Sequence, residues 1–212
     1  MMLHTPSWAR SGIVLLHGRG GSAEDIASLM SHAGLPDVAI AAPTAPGNSW
    51  WPTSFLAPQA QMAPFVARGL AAAEAGVAAL IKAGLAREAI WLGGFSQGAC
   101  LALEAFARQG NGLAGVFGFS GGLIGTADTG AASADLYGHA DKVLTYPPQT
   151  GHVWLSVHAR DPHIPLKRVE ESAAAFRAMG AEVQIRIYPG GGHAVMHDDI
   201  SALRAALNGQ GN

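Results

Sequence analysis

The chain has 212 residues, 49% of them hydrophobic, which is enough for one well-buried core and short for two, so a single domain over residues 1–212 is expected. Only 13% of the residues are charged and the formal net charge is -2, which provides no electrostatic footprint for gripping a phosphate backbone and argues against nucleic acid as a partner. Cys100 is the sole cysteine, so an intramolecular disulfide is excluded, and the 9 histidines are scattered without metal-ligand spacing, so no metal is expected.

The N-terminal "MMLHTPSWARSG" lacks a basic start followed by a long apolar run, and no apolar stretch is expected to approach the roughly 18 residues of a membrane span, which suggests a cytoplasmic chain. The first predicted strand is "GIVLLHG", Gly12 to Gly18. It leads into the glycine-rich turn "LLHGRGGSAED" and a helix over Ser22 to His32, where Ser22 and Asp25 are spaced as a capping box. The glycine turn lacks the lysine of a phosphate loop and does not match a dinucleotide G-x-G-x-x-G, so no nucleotide cofactor is expected. A strand at Val38 to Pro43 is followed by the irregular "PTAPGNSWWPTSFLAPQ" and a helix over Gln61 to Ala83.

The strand "AIWLGGF", Ala89 to Phe95, then delivers Ser96 into "GGFSQGA", with the G-x-S-x-G spacing, and a helix is predicted over Gln97 to Gln109. A serine hydroxyl becomes a nucleophile only when a base takes its proton and the side chain stands clear of the sheet; strand, tight turn and helix provide that exposure. The helix start adds free N–H groups and a partial positive charge where an oxyanion would develop. Ser120 has the same spacing in "GFSGG" after the strand Gly115 to Gly121, but "GGLIGTADTG" follows it, and that many glycines make a helix start costly. Ser96 is therefore the predicted nucleophile and Ser120 a bystander near it. Cys100, one helical turn after Ser96, reads as a small core residue.

After the long irregular segment through Gly151, the strand His152 to Ala159 ends in "RDPHIP" and aims Asp161 at the sheet edge, whereas Asp128, Asp135 and Asp141 have no strand to aim them. A helix over Leu166 to Met179 and the strand Glu182 to Pro189 follow, and "YPGGGHAV" carries His193 back over that edge on a glycine turn. His197 falls in the last predicted helix, His197 to Leu207. The pattern is α/β, a mostly parallel sheet with helices on both faces, and the chain order Ser96, Asp161, His193 is that of an α/β-hydrolase triad of nucleophile, orienting acid and base. Backbone N–H groups of Arg19 and Gln97 are the expected oxyanion donors.

Together, "LHGRGG", "GFSQGA", "DPHIP" and "GGGHAV" resemble the phospholipase/carboxylesterase family of small α/β-hydrolases, which includes bacterial carboxylesterases and acyl-protein thioesterases, over about Ile13 to Leu207. The resemblance implies a compact hydrolase without a separate cap domain, acting on small-molecule esters or thioesters with no cofactor. It places the "SWWP" loop near the acyl pocket. Two positions depart from the family pattern: His158 stands where glycine is common, three residues before the acid, and Arg19 where an apolar residue is common. Trp50, Trp51, Phe55 and Ile164 are the expected pocket residues, with a core plug or homodimer contact as the other roles open to the aromatic patch. The function expected is a serine carboxylesterase for small to medium acyl esters. A thioesterase or lysophospholipase on longer chains, an acyltransferase and a non-catalytic binding module are the alternatives.

Overall fold

Strands that are apolar at every position need cover on both faces, and the chain supplies it by alternating them with alanine- and leucine-rich helices. The computed structural model describes residues 1–126 and 146–209. In chain order the elements are β1 (Met2–His4), β2 (Gly12–Leu16), α1 (Ala23–His32), β3 (Ala39–Ala42), α2 (Gln59–Lys82), β4 (Ile90–Phe95), α3 (Gln97–Gln109), β5 (Gly115–Phe119), β6 (His152–Arg160), α4 (Leu166–Met179), β7 (Glu182–Gly191) and α5 (His197–Asn208). The sheet order is β1-β3-β2-β4-β5-β6-β7, parallel throughout except for β1 against β3.

Every residue of β2, β3 and β5 is buried. One core lies between the sheet and α2, α3 and α4, with Val14, Leu92, Leu101, Phe106, Val169 and Phe176 among its members. The other lies beneath α1 and α5 and includes Ile13, Leu15, Met30, Phe117, Phe119 and Leu203. The capping box at α1 is closed: Asp25 N donates to Ser22 Oγ at 3.1 Å and Ser22 N donates to Asp25 Oδ2 at 2.8 Å.

The structure departs from the sequence expectation at three places. The edge strand β1 is an addition; at 3 residues it is too short to show a hydrophobic period. The last strand continues two residues past Pro189 to Gly191, because β6 continues alongside it to Arg160. Helix α2, at 24 residues, is long and apolar enough to cross a membrane by length and composition, which corrects the expectation that no apolar stretch approaches that length. It packs instead against β2, β3 and α3, burying Met62, Val66, Ala73, Val77 and Leu80 as an apolar stripe. Asp128, Asp135 and Asp141 lie outside the described residues.

Candidate active site

Ser96 sits at the end of β4, one residue before α3, with φ 55 and ψ -118. This conformation costs a non-glycine residue on the order of 1–3 kcal/mol and is held only where the surroundings over-determine it. They do so here by close backbone packing. A Cβ at Gly98 would lie 1.9 Å from the Leu16 carbonyl oxygen, and one at Gly94 would lie 2.4 Å from the Gly98 backbone. The two glycines flanking Ser96 are thus where α3 is pressed against β2 and β4, and the pressure lifts the serine off the sheet. Ser96 N is fixed by the Phe119 carbonyl at 2.9 Å.

His193 Nε2 lies 2.8 Å from Ser96 Oγ, and its Nδ1 lies 2.8 Å from Asp161 Oδ2 and 3.1 Å from Oδ1. The Asp161 side chain is fully buried, and its Oδ1 also accepts from the N–H groups of His163 and Ile164 at 2.8 and 3.0 Å. Those bonds fix the carboxylate before it meets the imidazole, so Nδ1 carries the proton and Nε2 faces the serine. The imidazole is held between the ring of Phe95 and the edge of His163, each with its centroid at 4.8 Å. His197 opens α5 and is not among the residues lining the cavity at Ser96.

Ser120 ends β5 with a positive φ of 51, but it is fully buried and its Oγ has no hydrogen-bond partner among the described residues. Among the described residues directly after it, 121–126, there is no helix. Cys100 is buried on α3, and burial pushes its thiol up to about 12, so no thiolate is available near neutral pH. Neither the Arg19 nor the Gln97 backbone N–H has an acceptor among the described residues, which leaves both able to donate.

A cavity of about 700 Å3 opens beside Ser96. Trp51, Phe55 and Ile164 line it, as do Leu56, Phe95 and His163. Trp50 does not: a buried indole N–H needs an acceptor, and Trp50 Nε1 finds the His17 carbonyl at 2.9 Å, turning the ring inward against the His17 imidazole. The expectation that both tryptophans line the pocket is corrected: of the two, only Trp51 lines this cavity. His163 and Phe95 were not anticipated; both adjoin motif residues, but their contacts with His193 have no counterpart in sequence spacing. A cavity of similar volume, about 720 Å3, lies between the sheet and α5 and contains none of these groups.

The His158 ring is buried beneath the turn that carries His193, tilted against the Tyr188 ring with centroids 5.4 Å apart, and the Asp161 N–H donates to the His158 carbonyl at 3.1 Å. Arg19, exposed, turns its guanidinium onto the neighbouring loop, donating to the carbonyls of Pro52 and Thr53 at 3.0 and 2.6 Å.

A mostly parallel sheet in this order, with a serine on a strand-to-helix elbow and an aspartate and histidine on later strand ends, defines an α/β-hydrolase. The chain belongs to the phospholipase/carboxylesterase family, whose model matches residues 6–209. It is similar to a phospholipase/carboxylesterase from Dyadobacter fermentans, with 36% identity and a TM-score of 0.83 over 98% of this chain and 95% of that one. The fold is also that of the esterase PE8, with 24% identity and a TM-score of 0.75 over 98% and 97% of the two chains. Acyl-protein thioesterase 1 of Gibberella zeae is 30% identical over 130 residues, 61% of this chain and 52% of that relative, so the match spans about half of the relative's length.

Proposed function

We propose that the chain is a serine carboxylesterase that hydrolyses small to medium acyl esters through an acyl-enzyme on Ser96. The observation that carries this reading is the continuous relay from Ser96 Oγ through His193 to the buried Asp161, opening onto a cavity lined in part by Trp51, Phe55, Leu56 and Ile164. His193 Nε2 takes the hydroxyl proton as Ser96 attacks the ester carbonyl, and Asp161 stabilises the imidazolium that forms. The backbone N–H groups of Arg19 and Gln97 receive the charge that develops on the carbonyl oxygen. The leaving alcohol or thiol departs with the proton from His193. Water, deprotonated by the same imidazole, then releases the acid.

No cofactor or metal enters this scheme, and the chain acts in the cytoplasm on a small-molecule substrate. The Gibberella zeae relative favours a second reading, thioester hydrolysis, which uses the same acyl-enzyme and differs only in the leaving atom. The test is hydrolysis of p-nitrophenyl acetate and of an acyl thioester by the wild type, Ser96→Ala and Ser120→Ala. The reading requires Ser96→Ala to lose roughly 10^4-fold or more in kcat while Ser120→Ala keeps its activity. The opposite pattern would overturn it. A chain-length series of p-nitrophenyl esters with a clear optimum at long acyl chains would overturn the substrate range.

A further inference from the structure

The stretch from Ala45 to Thr53 has little regular structure of its own, yet Trp50 and Trp51 in it are almost completely buried. Side chains from two other segments hold it. Gln97 Oε1 accepts from Trp50 N at 2.8 Å, and Gln97 Nε2 donates to the Trp51 carbonyl at 2.8 Å, so the amide fits a donor and an acceptor on consecutive residues. The Ser49 hydroxyl lies at 3.4 Å from the same amide and donates to the Trp51 carbonyl at 2.8 Å. One residue further on, Arg19 holds the carbonyls of Pro52 and Thr53. The bond from Gly20 N to the Asn48 carbonyl, at 2.7 Å, ties the other end of the stretch to the same glycine turn.

The two residues gripping this loop by their side chains are the two whose backbone N–H groups have no acceptor among the described residues, and both line the cavity with Ser96. The loop leads directly into Phe55 and Leu56 and contains Trp51, so it forms a wall of the cavity. Gln97 is itself buried at 6% exposure, where a hydrogen-bonded amide has few alternative positions.

Resting on the esterase reading above, we infer that Arg19 and Gln97 are positioning residues whose side chains clamp the Ser49–Thr53 loop, coupling the acyl-cavity wall to the oxyanion donors so that acyl-chain contact raises turnover as well as binding. The physical basis is that binding energy from a remote part of a substrate accelerates reaction only if it is realised in the transition state. A wall that moves independently of the donors would change KM alone. A wall fixed to them by five hydrogen bonds from the two side chains and Gly20 changes donor orientation when it is occupied.

The test is steady-state kinetics on p-nitrophenyl acetate, butanoate and hexanoate for the wild type, Gln97→Met and Arg19→Met, with active sites titrated by an organophosphonate and Tm measured alongside. In the wild type kcat rises from acetate to butanoate. In each variant kcat per active site falls by roughly 10- to 100-fold, and its dependence on acyl length flattens while KM still falls with chain length. Variants with a lower Tm but the wild-type kcat profile would show the clamp to be purely structural and overturn the inference, as would a wild-type kcat indifferent to acyl length. If Gln97→Met does not fold, Gln97→Glu keeps the acceptor for Trp50 N and loses the donor to Trp51; flattening supports the clamp and an unchanged profile overturns it. Wild-type turnover that does not depend on Ser96 would remove the esterase reading itself, whereas Ser96-dependent turnover with unchanged variant profiles removes only the clamp.

Discussion

At the scale of single residues, the site depends on a few atoms for which there is no spare room. A Cβ on Gly192 would come within 2.7 Å of the His158 ring, which is buried and packs at a tilt against Tyr188. Gly192→Ala therefore has to push either the ring or His193 aside. The expected result is a fall in kcat of roughly 10-fold or more with a smaller loss of stability, and partial recovery in the Gly192→Ala, His158→Ala double variant, measured as a kinetic double-mutant cycle. Two independent, additive losses would argue that the contact does not matter. Cys100 gives a pH prediction. Below about pH 9 the thiol is protonated in both the folded and the unfolded chain and favours neither. Between about 9 and 12 only the unfolded chain ionises, so the folded state loses stability as pH rises, by at most about 1.4 kcal/mol per pH unit. Cys100→Ala lacks this contribution, so the drop in its Tm from pH 8 to pH 10 is the smaller of the two, as thermal melts at both pH values would show. Its esterase activity at pH 7.5 equals that of the wild type.

At the scale of elements, the sequence marks most of the architecture because the helices are long enough to display a period and the central strands are apolar without interruption. The predicted range for α3 coincides with the observed one, since Ser96 and Gly110 bound it sharply. The closed capping box fixes the start of α1; Ser22→Ala costs about 1 kcal/mol of stability in urea titration with activity per folded molecule unchanged. A cost near zero would mean that tertiary packing alone sets that start. What sequence does not show is orientation. Trp50 and Trp51 are adjacent and chemically identical, yet one faces His17 and the other the cavity, a choice made by which indole N–H can reach a carbonyl. The amide of Gln97 is equally opaque: its role depends on Trp50, 47 positions away. Strand ends aim Ser96, Asp161 and His193, and strand ends are visible in sequence. Side-chain contacts between segments are not.

At the scale of the molecule, three strands separated in the chain bring their ends to one edge of the sheet. β4 presents Ser96, β6 presents Asp161 and β7 presents His193, while β5, between β4 and β6, holds Ser96 N through the Phe119 carbonyl and is followed by the buried Ser120. Among the described residues no group of three potential metal ligands occurs. Dialysis against EDTA is accordingly expected to leave esterase activity unchanged, and a loss restored by a divalent cation would refute a metal-free mechanism. The apolar α2 belongs to this scale too: as an isolated segment it resembles a membrane helix, and only its packing against β2, β3 and α3 gives it another place.

The reach from Ser96 to His193 spans 97 positions in the chain. Both residues depend on parallel pairings from β4 to β7, each of which closes a long crossover before any contact rewards it. Helices form early in refolding because their contacts are local, but the relay exists only once β7 has joined the sheet. Diluted from denaturant, the chain regains its helical circular dichroism first and its ester turnover later, in the phase that seats the last strand. A chain whose C-terminal part has not docked therefore lacks the relay, because His193 reaches Ser96 only from the end of β7.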